Sequence, residues 1–304
     1  MQNNHEFIAD LNKILPKSQV LLNEPMKKHT TFKIGGPADF LVLPATVDEV
    51  VNVFKIIKKY QMPFTVLGNG SNVLVLDKGI RGVVVKFDDT MSYMKQEGTK
   101  IIVGSGSLLK DVAKFASDLS LSGMEFAIGI PGSIGGAVFM NAGAYDGEIS
   151  NFITAVTAVS LDGEVIRYLK DDLEFGYRHS IFQSNHYVIC EVELSLVKGN
   201  KEEIEARMDE LTMRRESKQP LEMPSAGSTF KRPQGYFAGT LIEQTGLKGF
   251  KVGGAQISKK HAGFVVNAGE ATAEDVLNLI QEVQKMVFEK HGVKLHPEVR
   301  TIGE

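Results

Sequence analysis

Apolar and polar positions along this chain follow two periods, and the periods predict its elements. The opening stretch MQNNHEFIADLNKIL is mixed in charge and reads as a short amphipathic helix. The apolar run ADFLVLP, a helical pattern over residues 46–60 and the run PFTVL predict strand, helix, strand. Thr46 and Glu49 have the spacing of a capping box, and Pro63 closes that helix. TKIIVGSG, an amphipathic stretch over residues 108–121 and MEFAIG repeat the scheme, so a second strand-helix-strand unit is expected. From Ile153 the period changes to two. TAVTAVS and EVIRYL predict strands joined at Asp162 and Gly163, a dipeptide suited to a type I′ turn, and YVICEVELSLV adds another strand. Residues 200–218 are heavily charged and predict a solvated helix, which puts a domain boundary near residue 200. Residues 272–290 place Val276, Ile280, Val283 and Val287 on one helical face, with Gly292 as the C-terminal stop.

Length and composition narrow the classes. A chain of 304 residues exceeds what one hydrophobic core usually holds, and 43% hydrophobic with 23% charged residues is ordinary globular composition. A net charge of −3 leaves no domain-wide basic field, which argues against a nucleic-acid partner. The single cysteine, Cys190, excludes an internal disulfide and a Cys-rich zinc site, and its strand-like surroundings predict an inert core thiol. None of the seven histidines has zinc-site spacing. The N-terminus lacks the apolar centre of a secretory signal, so a cytoplasmic protein is expected. Residues 126–145 carry no charge, but they hold Pro131, Asn141 and five glycines. A lipid-exposed helix there would lose backbone hydrogen bonds it could not replace, so a buried glycine-rich loop is expected instead of a membrane span.

Two segments concentrate glycine directly after apolar strands: Gly68-Asn69-Gly70-Ser71-Asn72 and Gly129-Ile130-Pro131-Gly132-Ser133-Ile134-Gly135-Gly136. Residues without side chains let backbone N–H groups converge on an anion, and a following helix N-terminus adds partial positive charge. Both suit a pyrophosphate, although such clusters also serve plain tight turns. Gly104-Ser105-Gly106 follows a strand and opens a helix, but Leu109 stands where a Rossmann fingerprint has its third glycine. No Gly-Lys pair occurs, so no Walker A loop is present.

In order along the chain stand TTFKIGG, GNGSN, GIPGSIGGAVFMNAGAYDGEI, GYRHSIF, AGSTFKRP and HPEVR. Together these motifs resemble the UDP-N-acetylenolpyruvoylglucosamine reductase family (MurB) over nearly the whole length. The resemblance implies an α+β protein: a two-subdomain FAD-binding fold of the vanillyl-alcohol-oxidase (PCMH) type plus a C-terminal α+β substrate domain. The organisation expected is an N-terminal helical segment over residues 1–29, an FAD-binding domain over residues 30–198 (subdomains about 30–95 and 96–198), and the substrate domain over residues 199–304. The implied cofactor is non-covalent FAD, with NADPH as co-substrate and UDP-N-acetylglucosamine enolpyruvate as the compound reduced. No nucleic acid, membrane or obligatory protein partner is implied. By resemblance, Gly68, Asn69, Gly70, Ser71, Asn72, Ile130, Pro131, Gly132, Ser133, Gly135 and Gly136 contact the FAD pyrophosphate, with Asn141, Gly143 and Ala144 near the flavin.

Reducing an enolpyruvyl ether builds negative charge on the carboxylate side of the double bond. A guanidinium there stabilises the enolate-like transition state. Arg178, in Gly176-Tyr177-Arg178-His179-Ser180, matches the family arginine; read alone, it is more readily a strand arginine in a surface salt bridge. Ser228 matches the family's proton donor, whereas Ala-Gly-Ser by itself reads as a turn or N-cap. Glu298 matches the glutamate that acts with that serine, and Pro297 before it restricts the backbone. As a plain reading, Glu298 is a solvated strand residue paired to Arg300. Lys218, Arg215 and Lys231 are the cations expected to meet substrate phosphates and carboxylate, set against an ordinary solvated charge run. The chain lacks the extra loop with a substrate-clamping tyrosine found in other members, and so resembles the shorter subtype.

Two other functions compete. A sugar or hydroxy-acid oxidase on the same flavin fold explains the glycine loops, but not YRHS, AGSTFK and HPEVR together. A non-catalytic nucleotide-sugar binding module would carry no flavin.

Overall fold

The structure, a computed structural model, describes residues 2–145 and 147–304; Met1 and Asp146, the latter inside GIPGSIGGAVFMNAGAYDGEI, lie outside the described residues. The chain divides into two compact units. The first comprises Met1–Leu22, Phe40–Asn69 and Gly82–Arg214, and the second Asn23–Asp39, Gly70–Arg81 and Arg215–Glu304.

In the first unit, α1 (Gln2–Ile14) and α2 (Val47–Tyr60) set Phe7, Leu11, Val50, Val53, Phe54 and Ile57 into one hydrophobic cluster. The spacing of the α2 residues is that of one helical face. Thr46 Oγ1 accepts the Glu49 N–H at 3.1 Å, as expected, but the Glu49 carboxylate accepts from Ala45 at 2.7 Å instead of completing the box on Thr46. The helix ends where Gln61 turns left-handed at φ 51, two residues before Pro63. Pro37–Val42 before this helix and Phe64–Leu67 after it are strands, the latter paired in parallel with Ile80–Lys86, so the first strand-helix-strand prediction is borne out.

The larger part of this unit is a five-stranded antiparallel sheet in the order Val165–Leu169, Ile153–Val159, Val188–Ser195, Lys100–Gly104, Met94–Glu97. Its central strands bury Ile153, Ala155, Val156, Ala158, Val188, Val192 and Leu194. Against it lie α3 (Leu109–Asp118) and α4 (Ile134–Met140), followed by the short α5 (Phe182–Asn185) and by α6 (Lys201–Lys218), within which the first unit ends. Cys190 is fully buried, and desolvation pushes its thiol up to about 12, as an inert core cysteine requires.

Three expectations need correction here. MEFAIG is not a strand: Glu125–Ala127 form a 3₁₀ turn, although Met124, Phe126 and Ala127 do enter the core. The Glu125 carboxylate accepts the Gly123 N–H at 2.8 Å and folds the chain back, which periodicity in a short apolar run does not reveal. The Asp162-Gly163 hairpin is not type I′, because only Gly163 (φ 81) is left-handed there; Gly163 N–H donates to Ser160 O, and Ser160 N–H to Glu164 O, giving a three-residue loop with a bulge glycine. Residues 126–145 are not a continuous loop, since α4 lies inside them.

The second unit is built on α7 (Ala238–Gln244) and α8 (Ala273–His291) with a three-stranded sheet, Lys251–Val252, Ala255–Ile257 and Val265–Asn267. A parallel pair, Val73–Val75 with Arg300–Ile302, brings the chain end into the same unit. On α8, Val276, Ile280, Val283 and Val287 are buried and Gly292 is left-handed at φ 68, as predicted. Its N-terminus is capped twice. Thr272 and Asp275 form a reciprocal box, and the Asp77 carboxylate accepts the N–H groups of Ala273 and Glu274 at 2.8 and 3.0 Å. Among the described residues, no helix is long and apolar enough to cross a membrane, and no group of His, Cys, Asp and Glu could hold a metal ion.

Candidate active site

The start of the first glycine segment, Gly68-Asn69, meets the second segment inside the first unit. Asn69 Nδ2 donates to Pro131 O at 2.7 Å, and a Cβ placed on Gly68 would lie 2.4 Å from Ser133 Oγ. The second segment is fastened beneath by the Gly104-Ser105-Gly106 turn: Gly135 N–H donates to Ser105 O at 3.0 Å and Ile134 N–H to Ser107 O at 2.8 Å. A Cβ on Gly135 would fall 1.8 Å from Ser105 Oγ, so this glycine is required for the close approach. Ser105 and Ser107 are buried, and sequence reading missed them as the floor of the loop; the run of small residues between strand and helix was the available signal. Among the described residues, the backbone N–H groups of Gly68, Asn69, Gly132 and Ser133 donate to no protein acceptor. Ser133 caps α4, its Oγ accepting the Gly136 N–H at 3.4 Å. A cluster of unspent donors walled by glycine backbone suits a polyphosphate.

A helix follows only the second segment; after Gly68-Asn69-Gly70-Ser71-Asn72 comes the strand Val73–Val75, so the helix-terminus contribution expected for both loops holds for one. Gly70, Ser71 and Asn72 belong to the second unit, where a Cβ on Gly70 would lie 2.3 Å from His29 O. Gly143 and Ala144 pair with Gly147 and Glu148, and a Cβ on Gly143 would sit 2.8 Å from Gly147 O. Asn141 is buried and left-handed (φ 42) at the end of α4. Its amide is committed within the protein: Oδ1 accepts from Ser150 N at 3.2 Å, and Nδ2 donates to Gly176 O at 3.1 Å.

Arg178 stands at the third position of a tight turn that Gly176 and His179 close by exchanging backbone hydrogen bonds of 3.1 Å. Its φ of 54 is the conformation that glycine or asparagine normally takes there. An arginine so placed costs on the order of 1–3 kcal/mol, and backbone strain of this kind concentrates at functional sites. The half-buried guanidinium lies 5.2 Å from the ring centroid of exposed Tyr177. Two neighbours missed by sequence reading hold the turn from behind: Gln183 Nε2 donates to Arg178 O and to Phe139 O, both at 2.9 Å, and buried Ser180 donates to Phe139 O at 2.9 Å.

In the second unit, Ser228 follows left-handed Gly227 (φ 74) and is exposed. Thr229, buried beside it, is bonded on both flanks: its N–H donates to Gly263 O at 2.9 Å, its Oγ1 accepts from Val265 N at 2.9 Å, and its carbonyl accepts from Glu298 N at 2.8 Å. Lys231 N–H donates to His296 O at 2.8 Å, so one short backbone pairing carries Ser228, Lys231 and Glu298 together. Asn72 flanks the same place, its carbonyl accepting the Arg300 N–H at 3.0 Å. Arg215 and Lys218 stand in the same unit on the last turn of α6, half-buried and exposed respectively.

A family model described as FAD binding domain matches residues 38–168, and one described as UDP-N-acetylenolpyruvoylglucosamine reductase, C-terminal domain, matches residues 219–302. The UDP-N-acetylenolpyruvoylglucosamine reductase of Clostridium perfringens (strain SM101 / Type A) is 51% identical over 298 residues, 98% of each chain. The crystal structure of UDP-N-acetylenolpyruvylglucosamine reductase (MurB) from Thermus caldophilus matches with a TM-score of 0.79 and 39% identity, over 93% of this chain and 97% of that one. The 4-ethylphenol oxidase of Gulosibacter chungangensis, 15% identical with a TM-score of 0.52 over 97% of this chain and 65% of that one, shares the fold alone. The α+β architecture with an FAD-binding domain of PCMH type, expected from the motifs, is the one these matches share.

Proposed function

The chain belongs to the UDP-N-acetylenolpyruvoylglucosamine reductase family, FAD-dependent oxidoreductases of peptidoglycan precursor synthesis, and on that premise we propose that it reduces UDP-N-acetylglucosamine enolpyruvate to UDP-N-acetylmuramate at the expense of NADPH. Bound FAD supplies the two-electron relay between NADPH and the substrate. The unspent N–H groups of Gly68, Asn69, Gly132 and Ser133 suit its pyrophosphate, and Ile130, Pro131, Gly135 and Gly136 wall the same loop. Gly70, Ser71, Asn72, Asn141, Gly143 and Ala144 complete the proposed cofactor set. The cytoplasm, where NADPH and nucleotide sugars are available, is the proposed location.

Across the double bond, an electron pair with hydrogen must reach the terminal vinyl carbon, and a proton must reach the carbon bearing the carboxylate. Arg178 is proposed to sit against that carboxylate and stabilise the charge that develops there. Ser228 Oγ–H is proposed to deliver the proton; the hydroxyl is a weak acid, but the carbanion-like carbon it quenches is strongly basic. Glu298 is proposed to act with Ser228, and the Thr229–Glu298 backbone bond of 2.8 Å joins their two segments. Lys218, Arg215 and Lys231 are proposed to meet the anionic groups of the substrate.

The observation that carries this reading is the strained, braced conformation of Arg178, because a surface salt bridge would need neither the left-handed backbone nor the side-chain ties. The test is anaerobic. NADPH should bleach the flavin absorbance at roughly 450 nm, and adding UDP-N-acetylglucosamine enolpyruvate should restore it. Bleaching without restoration assigns the protein a different substrate, and no bleaching removes the reductase assignment. Reduction of the flavin only by an alcohol would favour the oxidase reading.

A further inference from the structure

We infer that Gln183 is a positioning residue for the reduction step, acting by holding Arg178 in its turn; this deepens, and rests on, the role proposed above for Arg178. The mutual bonds between Gly176 and His179 close the turn but do not aim it. Two side-chain amides do. Asn141 Nδ2 holds the carbonyl at one shoulder, Gly176, and Gln183 Nε2 holds the carbonyl of Arg178 itself, at 3.1 and 2.9 Å.

Both ties run to the same place. Asn141 is the C-cap of α4, and the nitrogen of Gln183 that donates to Arg178 O also donates to Phe139 O, in the last turn of that helix, at 2.9 Å. The same α4 begins at Ser133, within the glycine segment. Gln183 therefore spends its amide N–H groups on the arginine carbonyl and on the last turn of the helix that rises from the glycine segment, where Met140 Sδ also lies 3.9 Å from Nε2. A left-handed arginine persists where its surroundings over-determine it, and the tie to its own carbonyl is one of those constraints. Leucine at 183 keeps the volume and loses both donors. Glutamate replaces them with a carboxylate facing two carbonyls. Lysine restores N–H donors on a side chain one atom longer.

The experiment is a double-mutant cycle on the holoenzyme, following separately flavin reduction by NADPH and flavin reoxidation by UDP-N-acetylglucosamine enolpyruvate. Gln183→Leu should slow reoxidation by roughly 10-fold through misplacement of the guanidinium, while NADPH reduction, flavin content and melting temperature stay close to those of the parent. Gln183→Glu should behave likewise, and Gln183→Lys should recover most of the lost rate. In an Arg178→Ala background, Gln183→Leu should add no further loss. Three outcomes would overturn the inference: unchanged reoxidation in Gln183→Leu, equal losses in both half-reactions, or a full additional loss on top of Arg178→Ala. Should Gln183→Leu not fold, the Lys and Glu variants make the same comparison. Normal reoxidation in Arg178→Ala would instead sink the role of Arg178, which separates that failure from this one.

Discussion

The turn that carries Arg178 and the segment that carries Ser228 are secured by different means. Arg178 sits in a strained conformation whose carbonyl is held by a side chain, Gln183, and whose neighbour Gly176 is held by another, Asn141. Ser228 precedes Thr229, whose backbone N–H and carbonyl are both paired, to Gly263 and Glu298. A backbone pairing survives most changes of side chain, whereas a side-chain tie is lost with one substitution. The arginine should therefore depend sharply on residues that never touch substrate, and the serine should depend on few beyond itself.

Four measurements bear on that contrast. The largest effect is expected for Arg178→Ala: reoxidation of the flavin by the enolpyruvyl substrate should fall by about 10³, with NADPH reduction preserved, as rapid-mixing absorbance would show. Ser228→Ala should cost the same half-reaction at least about 10² and also leave NADPH reduction intact. Thr229→Val is the sharper probe. It removes the Oγ1 acceptor from Val265 N–H but keeps both backbone bonds, so reoxidation should change by less than about 3-fold while chemical unfolding shows a loss of about 1–2 kcal/mol. A rate loss as large as that of Ser228→Ala would mean that side chains aim the serine after all, and the contrast would fail. Asp77→Ala, which removes one of the two caps of α8 far from either turn in sequence, should lower stability by about 1 kcal/mol in a thermal melt and leave both half-reactions alone.

The smallest effect concerns pH. The backbone N–H groups of Gly254 and Thr272 hold the Asp275 carboxyl below its ordinary value of 3.8. A depressed folded-state pKa gives stability that is complete at neutral pH and is lost as the pH falls below that ordinary value. Asp275→Asn should thus lower the melting temperature slightly at pH 7, and the gap to the parent should close in the acid range.

Much of the fold could be read from residues close in sequence. Thr46 before α2, Thr272 and Gly292 around α8, and the alternation from Ile153 to Leu196 all act within a few residues of themselves. MEFAIG misled because its apolar residues enter the core in either conformation, and the Glu125 carboxylate decides between them. In the site, the residues proposed for chemistry were found through their motifs, while those that hold them were not. Ser105 and Thr229 lie inside motif text that assigns them no role, Gln183 stands one residue beyond GYRHSIF, and each acts on a partner brought up by folding.

The sequence by itself determined many of the elements, several of their caps, the family and the residues proposed for catalysis, because periodicity, capping and motif text are all written locally along the chain. The tertiary structure alone decided that the Gly104-Ser105-Gly106 turn floors the second glycine segment, that Asn141 spends its amide on Ser150 and Gly176, and that Arg178 is left-handed and braced. These are hydrogen bonds and close approaches between distant segments. Their geometry exists only once the core has packed and brought those segments within about 3 Å of one another.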